Sequence, residues 1–184
     1  MQAMTEQQMV EGFCEDGKDR APPKVGTRVT PSGHFAPVAG NTVIRHVPAT
    51  SATMLLLTEA QGVLKSAPFG EHFAYLPPAS FHMTVFEGVI DDRREKHHWP
   101  EGVGYSVPIK DTTALYLERL STFQPPAPFS MKVKTVTPLG LVLEGATPED
   151  EARARAFRDA LVDPMGYKSP SHEDRKSTRL NSSH

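Results

Sequence analysis

Segments of strand-like and helix-like hydrophobic spacing follow each other along the chain and predict a mixed α and β protein. Residues 42–47 are β-branched and predict a first strand. Ser51 is the predicted N-cap of a helix to about residue 65, with an apolar face of leucines and valines. Residues 80–88 predict a second strand, and residues 111–123 predict a second helix.

The second half of the chain predicts a hairpin and one more helix. Residues 129–136 alternate between apolar and polar, and a turn joins them to residues 141–144. Thr147 is the predicted N-cap of the last helix, which ends near Gly166. Its predicted buried face consists of Ala152, Ala156, Phe157, Ala160 and Leu161. The order of elements predicts an α+β fold in which a further strand follows this helix.

Composition and charge narrow the class of protein. The chain has 184 residues, which suits one domain, and a formal net charge of −2, which excludes a basic field for holding a long nucleic acid. No segment approaches the roughly 18 apolar residues of a membrane span, and the polar N-terminus does not resemble a signal peptide. Cys14 is the single cysteine, so neither a disulfide framework nor a cysteine zinc site is expected. We expect a cytoplasmic protein.

Three regions are predicted along the chain. Residues 1–23 are rich in charge, glycine and proline and predict a flexible N-terminal arm. Residues 24–173 form the predicted domain. Residues 174–184 have no helical or strand period, and one back-translation of them resembles read-through of a sequencing-library adapter. We therefore interpret this tail as non-native and expect the natural sequence to be cut off after Glu173.

The segment His82-Met83-Thr84 is the best candidate for chemistry. Side chains alternate along a strand, so His82, Thr84 and Phe86 are predicted to share one face, with the imidazole and the hydroxyl about 7 Å apart. An imidazole can donate or accept a proton near neutral pH, and a hydroxyl beside it can hold a phosphoryl oxygen. A hydrogen-bonded structural histidine produces the same short pattern, and on the pattern alone it is the more frequent reading.

Residues 80–88, Ser-Phe-His-Met-Thr-Val-Phe-Glu-Gly, resemble the first signature of the 2H phosphoesterase superfamily, also called LigT-like or cyclic phosphodiesterase-like. Residues 40–43, 73–78 and 140–143 resemble an uncharacterised branch of it, and the resemblance extends over roughly residues 24–173. It implies a two-lobed α+β fold with antiparallel sheets lining a central cleft and helices outside. Each lobe of such a fold contributes one H-x-[ST] strand.

The resemblance also implies a chemistry. His82 is the implied acid or base and Thr84 the implied phosphate ligand, with no metal and no cofactor. The implied substrates are 2′,3′-cyclic phosphates or related phosphodiesters of nucleotides and RNA ends, and we expect a monomer. Further substrate contacts are expected from Arg45, Tyr75 and Phe86. Since Arg45 and His46 are neighbours on the first strand, only one of them can face the cleft, and simple surface exposure of Arg45 is the competing interpretation.

The sequence departs from the family pattern in one respect. No histidine after His82 is followed two positions later by Ser or Thr. We predict that the second motif and the final strand lie in sequence removed by the cut, which leaves this chain with half an active site and little catalysis. Two other interpretations remain open: a module that binds a nucleotide or RNA end without turnover, and an inert fragment.

Overall fold

The computed structural model describes residues 25–137 and 140–168, and the backbone of a strand at residues 178–181. The predicted N-terminal arm at residues 1–23 lies outside the described residues, as does the turn at 138–139. No helix in the described part has the length and hydropathy of a membrane span.

Within the described residues, five strands and three α-helices form an α+β architecture, as predicted. The strands are β1 (Gly40–His46), β2 (His82–Ile90), β3 (Met131–Thr137), β4 (Gly140–Gly145) and β5 (Thr178–Asn181). The helices are α1 (Ala52–Ser66), α2 (Ile109–Leu120) and α3 (Pro148–Met165). Single turns of 3-10 helix occur at Gly70–His72, Pro78–Ser80 and Lys96–His98.

The sheet consists of two antiparallel pairs joined by β5. Its order is β1-β2-β5-β4-β3, and every pair of neighbours is antiparallel. β5 lies within the tail at residues 174–184, for which we expected no strand. The physical reason is that the facing edges of β2 and β4 offer backbone N–H and C=O groups, which an extended segment of any sequence can pair with. The non-native origin of the tail stays a prediction.

The beginning of α1 agrees with the sequence analysis, but its burial does not. Ser51 is the N-cap, and its hydroxyl accepts a hydrogen bond from the amide of Met54 at 3.1 Å. Met54 is the buried residue of this helix, whereas Leu55 and Val63 keep about two-thirds of their side-chain surface exposed, at 70% and 68%. The apolar residues of α1 therefore border the surface rather than the main core.

The caps of α3 are as predicted, and its buried face is not. Thr147 accepts from the amide of Asp150, and Gly166 ends the helix with a φ of +73°. The buried residues are Ala154, Arg158, Leu161 and Met165, which are spaced as one helical face. Of the five residues predicted to be buried, only Leu161 belongs to this set. Alanine is common in helices because of its propensity, so it does not mark a buried face.

The hydrophobic core holds β2 in place. It joins β2 to α2, α3 and the loops beside them through Val85, Phe86, Val89, Trp99, Ile109, Tyr116, Leu161, Met165 and Tyr167. The hydroxyl of Tyr167 donates to the backbone carbonyl of Glu87, and burial raises the pKa of Tyr167 well above its usual value. The strand that carries the H-x-T motif is thus fixed from one side by packing and by a hydrogen bond.

Candidate functional site

The register between β1 and β2 determines which side chains share a face. His46 lies opposite His82, and Ile44 lies opposite Thr84. Residues opposite each other in an antiparallel pair point to the same side of the sheet. Since His82 and Thr84 are two positions apart, the structure confirms that these two side chains share a face.

A β-bulge separates Phe86 from that face. Val43 pairs with Phe86, so β2 advances two residues where β1 advances one, and the ladder shifts there. The side chain of Phe86 is 3% exposed and packs edge-to-face against Tyr167, with ring centroids 5.6 Å apart. The expectation that Phe86 lines a cleft beside His82 is therefore wrong, because strict alternation ignores the extra residue of the bulge.

Thr84 is a buried polar residue with an unsatisfied hydroxyl. Its side chain is 4% exposed, and its Oγ1 has no hydrogen-bond partner in the part of the chain that the structure describes. Burying a hydroxyl without a partner costs free energy, on the order of 1–3 kcal/mol. A position that accepts this cost is suited to a ligand that supplies the missing hydrogen bond.

His82 is oriented by the backbone just before β2. Its Nδ1 lies 2.7 Å from the carbonyl oxygen of Ser80, so the ring donates its Nδ1 proton there when neutral. That tautomer leaves the lone pair on Nε2, which is the nitrogen able to accept a proton from a reacting group. Ser80 is the last residue of the 3-10 turn Pro78–Ser80, whose two prolines at 77 and 78 restrict the backbone.

Of the two neighbours Arg45 and His46, the register places His46 on the face of His82. Its ring lies across from that of His82 with centroids 6.4 Å apart and planes at 70°. Arg45 pairs with Met83, so it belongs to the opposite face. The structure does not bring Arg45 to His82. The sequence shows two adjacent polar residues at the end of a strand. It does not show the register with β2, which determines which of the two lies beside His82.

Tyr75 lies in a different environment, at an apolar cavity of about 700 Å³. The cavity is bounded by α1, by the segment that contains Tyr75, by Phe81 and by the adjoining ends of β3 and β4. Met83 and Leu141 both pair with position 180 of β5, so they lie on the same face of the sheet. His82 lies between Phe81 and Met83 along the chain, so its side chain points to the other face. The cavity is therefore on the side of the sheet opposite His82 and His46. The Tyr75 hydroxyl donates to the carbonyl of Gly70 at 3.0 Å. The structure does not unite Tyr75 with His82.

The adjacent histidines His97 and His98 form no metal centre. In residues 25–137 and 140–168, no group of three or more His, Cys, Asp or Glu side chains is arranged to hold a metal ion. Burial lowers the pKa of His98, and the nearby positive charge of Arg93 lowers it further. His98 therefore belongs to the partly buried loop that precedes Trp99, where its Nε2 lies 3.8 Å from a carboxylate oxygen of Glu95.

Comparisons with known proteins relate this chain to a family and to a solved structure. Residues 28–142 match the profile of a family described as 2H-phosphodiest, a domain of unknown function (DUF1868). A crystal structure of a conserved protein of unknown function from Agrobacterium tumefaciens str. C58 is similar, with a TM-score of 0.89 and 32% sequence identity. That alignment covers 98% of this chain and 77% of the other. No curated protein matches the chain. His46, His82 and Thr84 all lie within the matched region.

Proposed function

Because the chain belongs to the 2H-phosphodiest family, whose domain is of unknown function (DUF1868), we propose that it binds a phosphodiester at His82 and Thr84 and promotes its hydrolysis. The observation that carries this proposal is the buried hydroxyl of Thr84, which has no hydrogen-bond partner among the described residues and shares a strand face with the His82 imidazole. A phosphoryl oxygen supplies the acceptor that this hydroxyl lacks.

Hydrolysis requires a base that removes a proton from the attacking water and an acid that protonates the leaving oxygen. Nε2 of His82 accepts a proton from the attacking water as the water oxygen bonds to phosphorus. The hydroxyl of Thr84 donates a hydrogen bond to a phosphoryl oxygen and stabilises its negative charge. The bond between phosphorus and the leaving oxygen breaks, and a general acid protonates that oxygen. In this proposal the proton transfers require no metal or cofactor.

The proposed substrates are 2′,3′-cyclic phosphates and related small phosphodiesters of nucleotides or RNA ends. A net charge of −2 supports a small ligand held by local groups rather than a long nucleic acid held by its backbone. A monomeric enzyme of the cytoplasm is part of the proposal.

A second candidate is a binding module that holds such a phosphate without turnover. A full-length chain that binds a nucleotide and lacks a second H-x-[ST] motif would favour this candidate. Both candidates require phosphate binding at Thr84 and His82, and they differ in whether the bound diester is cleaved.

The test measures hydrolysis of 2′,3′-cyclic AMP by the full chain and by His82→Ala. The exposed His72 offers a matched control, since His72→Ala removes an imidazole that has no part in the site. We expect His82→Ala to lower the rate about 10²–10⁴-fold, and His72→Ala and a chelator to leave it unchanged. Thermal unfolding of both variants checks that the fold persists.

Each other outcome leads to a definite conclusion. Undiminished hydrolysis by a folded His82→Ala chain would contradict the catalytic role. If the wild-type chain binds 3′-AMP without cleaving the cyclic diester, and His82→Ala weakens that binding, the binding module is the correct function. If neither binding nor cleavage occurs, both candidates are wrong for this chain and the inert-fragment interpretation is the correct one.

A further inference from the structure

We propose that the apolar cavity beside Tyr75 binds a small ligand with a hydrocarbon body and one carboxylate group, and that Lys65 pairs with the carboxylate. The cavity lies on the face of the sheet opposite His82 and Thr84. The inference therefore does not depend on the proposed function, because it assigns a second and separate site to the chain.

The walls of the cavity come from three parts of the fold. One wall is α1, whose residues Leu57, Gln61 and Leu64 recur at the three- and four-residue spacing of one helical face. The second wall is the segment 73–76, and the third consists of Phe81 and the adjoining ends of β3 and β4. The volume of about 700 Å³ is in the range of sites that hold small organic ligands.

Hydrogen bonds to backbone carbonyls hold these walls in place. The side-chain amide of Gln61 donates to the carbonyl of Leu76 at 2.9 Å, which ties α1 to the segment 73–76. The hydroxyl of Thr137 donates to the carbonyl of Gly140 at 2.9 Å, where β3 and β4 meet. Because these polar groups bond to the protein itself, the surface left to a ligand consists mainly of aliphatic and aromatic carbon. An apolar ligand body suits this surface.

The mouth of the cavity also carries apolar side chains. Val63, Leu64 and Val136 line the cavity and are nevertheless exposed. Exposed apolar side chains that border a concave site are typical of ligand-binding grooves. A hydrocarbon chain that enters the cavity removes this surface from water, which favours binding.

Lys65 provides a positive charge at the edge of the cavity. It follows Gln61 by four residues, so it lies on the same face of α1, one turn further along. Its Nζ lies 5.1 Å from the centre of the Tyr75 ring, and Tyr75 lines the cavity. Among the described residues, Lys65 forms no ion pair with a carboxylate. The ammonium group can therefore bind a ligand carboxylate without giving up another ion pair.

The experiment measures dissociation constants of the full chain for octanoate, hexanoate and 1-octanol by NMR. The methyl signals of Leu57 and Leu141, which line the cavity, report binding. We expect octanoate to bind about 10-fold more tightly than hexanoate, because two more CH₂ groups are buried. The methyl signals of Val85 and Val89, which belong to the hydrophobic core, should not shift.

Two pairs of variants test the two parts of the site. Ala60→Phe fills the cavity and should lower the affinity for octanoate about 10-fold or more, whereas Ala52→Phe adds the same ring to α1 outside the cavity lining and should leave it unchanged. Lys65→Gln should weaken octanoate binding about 2–5-fold and leave 1-octanol binding unchanged. Lys110→Gln, which alters an exposed lysine at the start of α2, is the matched control. Thermal unfolding checks that each variant is folded.

Other outcomes would overturn the inference. If octanoate does not bind, or binds a folded Ala60→Phe chain as tightly as the wild type, the cavity is not a ligand site. If Lys65→Gln leaves the affinity for octanoate unchanged, or lowers the affinities for octanoate and 1-octanol equally, the pairing with a carboxylate is wrong. If sedimentation shows a dimer that Ala60→Phe separates into monomers, a second copy of the chain occupies the cavity and the proposed ligand does not.

Discussion

The hydroxyl of Thr84 bears on both the stability of the fold and the proposed binding of a phosphoryl group. It is buried on β2, a strand that contributes three residues to the hydrophobic core, and it forms no hydrogen bond within the described residues. An apolar residue of the same shape would remove the cost of leaving that oxygen unpaired. The protein therefore keeps a group at Thr84 that reduces the stability of the unliganded chain and that a bound phosphoryl oxygen would satisfy.

We predict that Thr84→Val raises the free energy of unfolding by about 1 kcal/mol, because it replaces an unpaired buried hydroxyl with a methyl group. Urea denaturation measures the change. Thr112→Val is the matched control, since Thr112 is 0% exposed and its hydroxyl donates to the carbonyl of Ile109 at 2.8 Å. The control should lower stability by about 1 kcal/mol. A loss of similar size in both variants would show that Thr84 does not carry an unpaired hydroxyl.

At this scale the sequence predicted part of the geometry of the strand that carries the H-x-T motif. The alternation of a strand correctly placed His82 and Thr84 on one face. The same alternation wrongly placed Phe86 on that face, because the bulge opposite Val43 and Ile44 arises only when β2 pairs with β1. The choice between Arg45 and His46 depended on the same long-range register.

Among the elements, α3 carries an unusual residue on its buried face. Arg158 is 8% exposed and lies in the same helical face as Leu161 and Met165. It has no hydrogen bond or ion pair among the described residues, and burial lowers the pKa of its guanidinium. Removing a charge from water costs free energy, which the attraction of Glu151 offsets in part, so we expect the burial of Arg158 to lower the stability of the fold.

We predict that Arg158→Met raises the midpoint of thermal unfolding, with a gain of about 1 kcal/mol, because methionine fills similar volume without a charge. Calorimetry or circular dichroism measures the midpoint. Arg155→Met is the control on the same helix, since Arg155 is exposed and pairs with Glu151 at 3.0 Å. It should change stability by less than about 1 kcal/mol. A clear decrease for Arg158→Met would mean that its charge is compensated.

Helix ends were easier to predict than helix faces. Ser51 and Thr147 cap α1 and α3 through hydrogen bonds to amides three residues along the chain, so local sequence is sufficient to identify them. Burial depends on what lies across from the helix. That is why Leu55, Leu56 and Leu64 of α1 are exposed and why Arg158 lies on the buried face of α3 in place of the predicted alanines.

On the scale of the whole molecule, the sheet brings two antiparallel pairs together. β1-β2 carries His46, His82 and Thr84, and β3-β4 lies on the other side of β5. The order of helices and strands was predictable from periodicity, and so was the α+β class. The position of β5 was not predictable, because backbone pairing between the facing edges of β2 and β4 does not require a strand-like sequence.

The central claim is that the face of β2 with His82 and Thr84 binds a phosphoryl group. The most direct measurement is the dissociation constant of 3′-AMP for the full chain and for Thr84→Val, by titration calorimetry. The account predicts that binding weakens about 10-fold or more, because the lost hydrogen bond is to a charged oxygen, while the variant is at least as stable as the wild type. Equal affinity in the two proteins, or no binding to either, would contradict it.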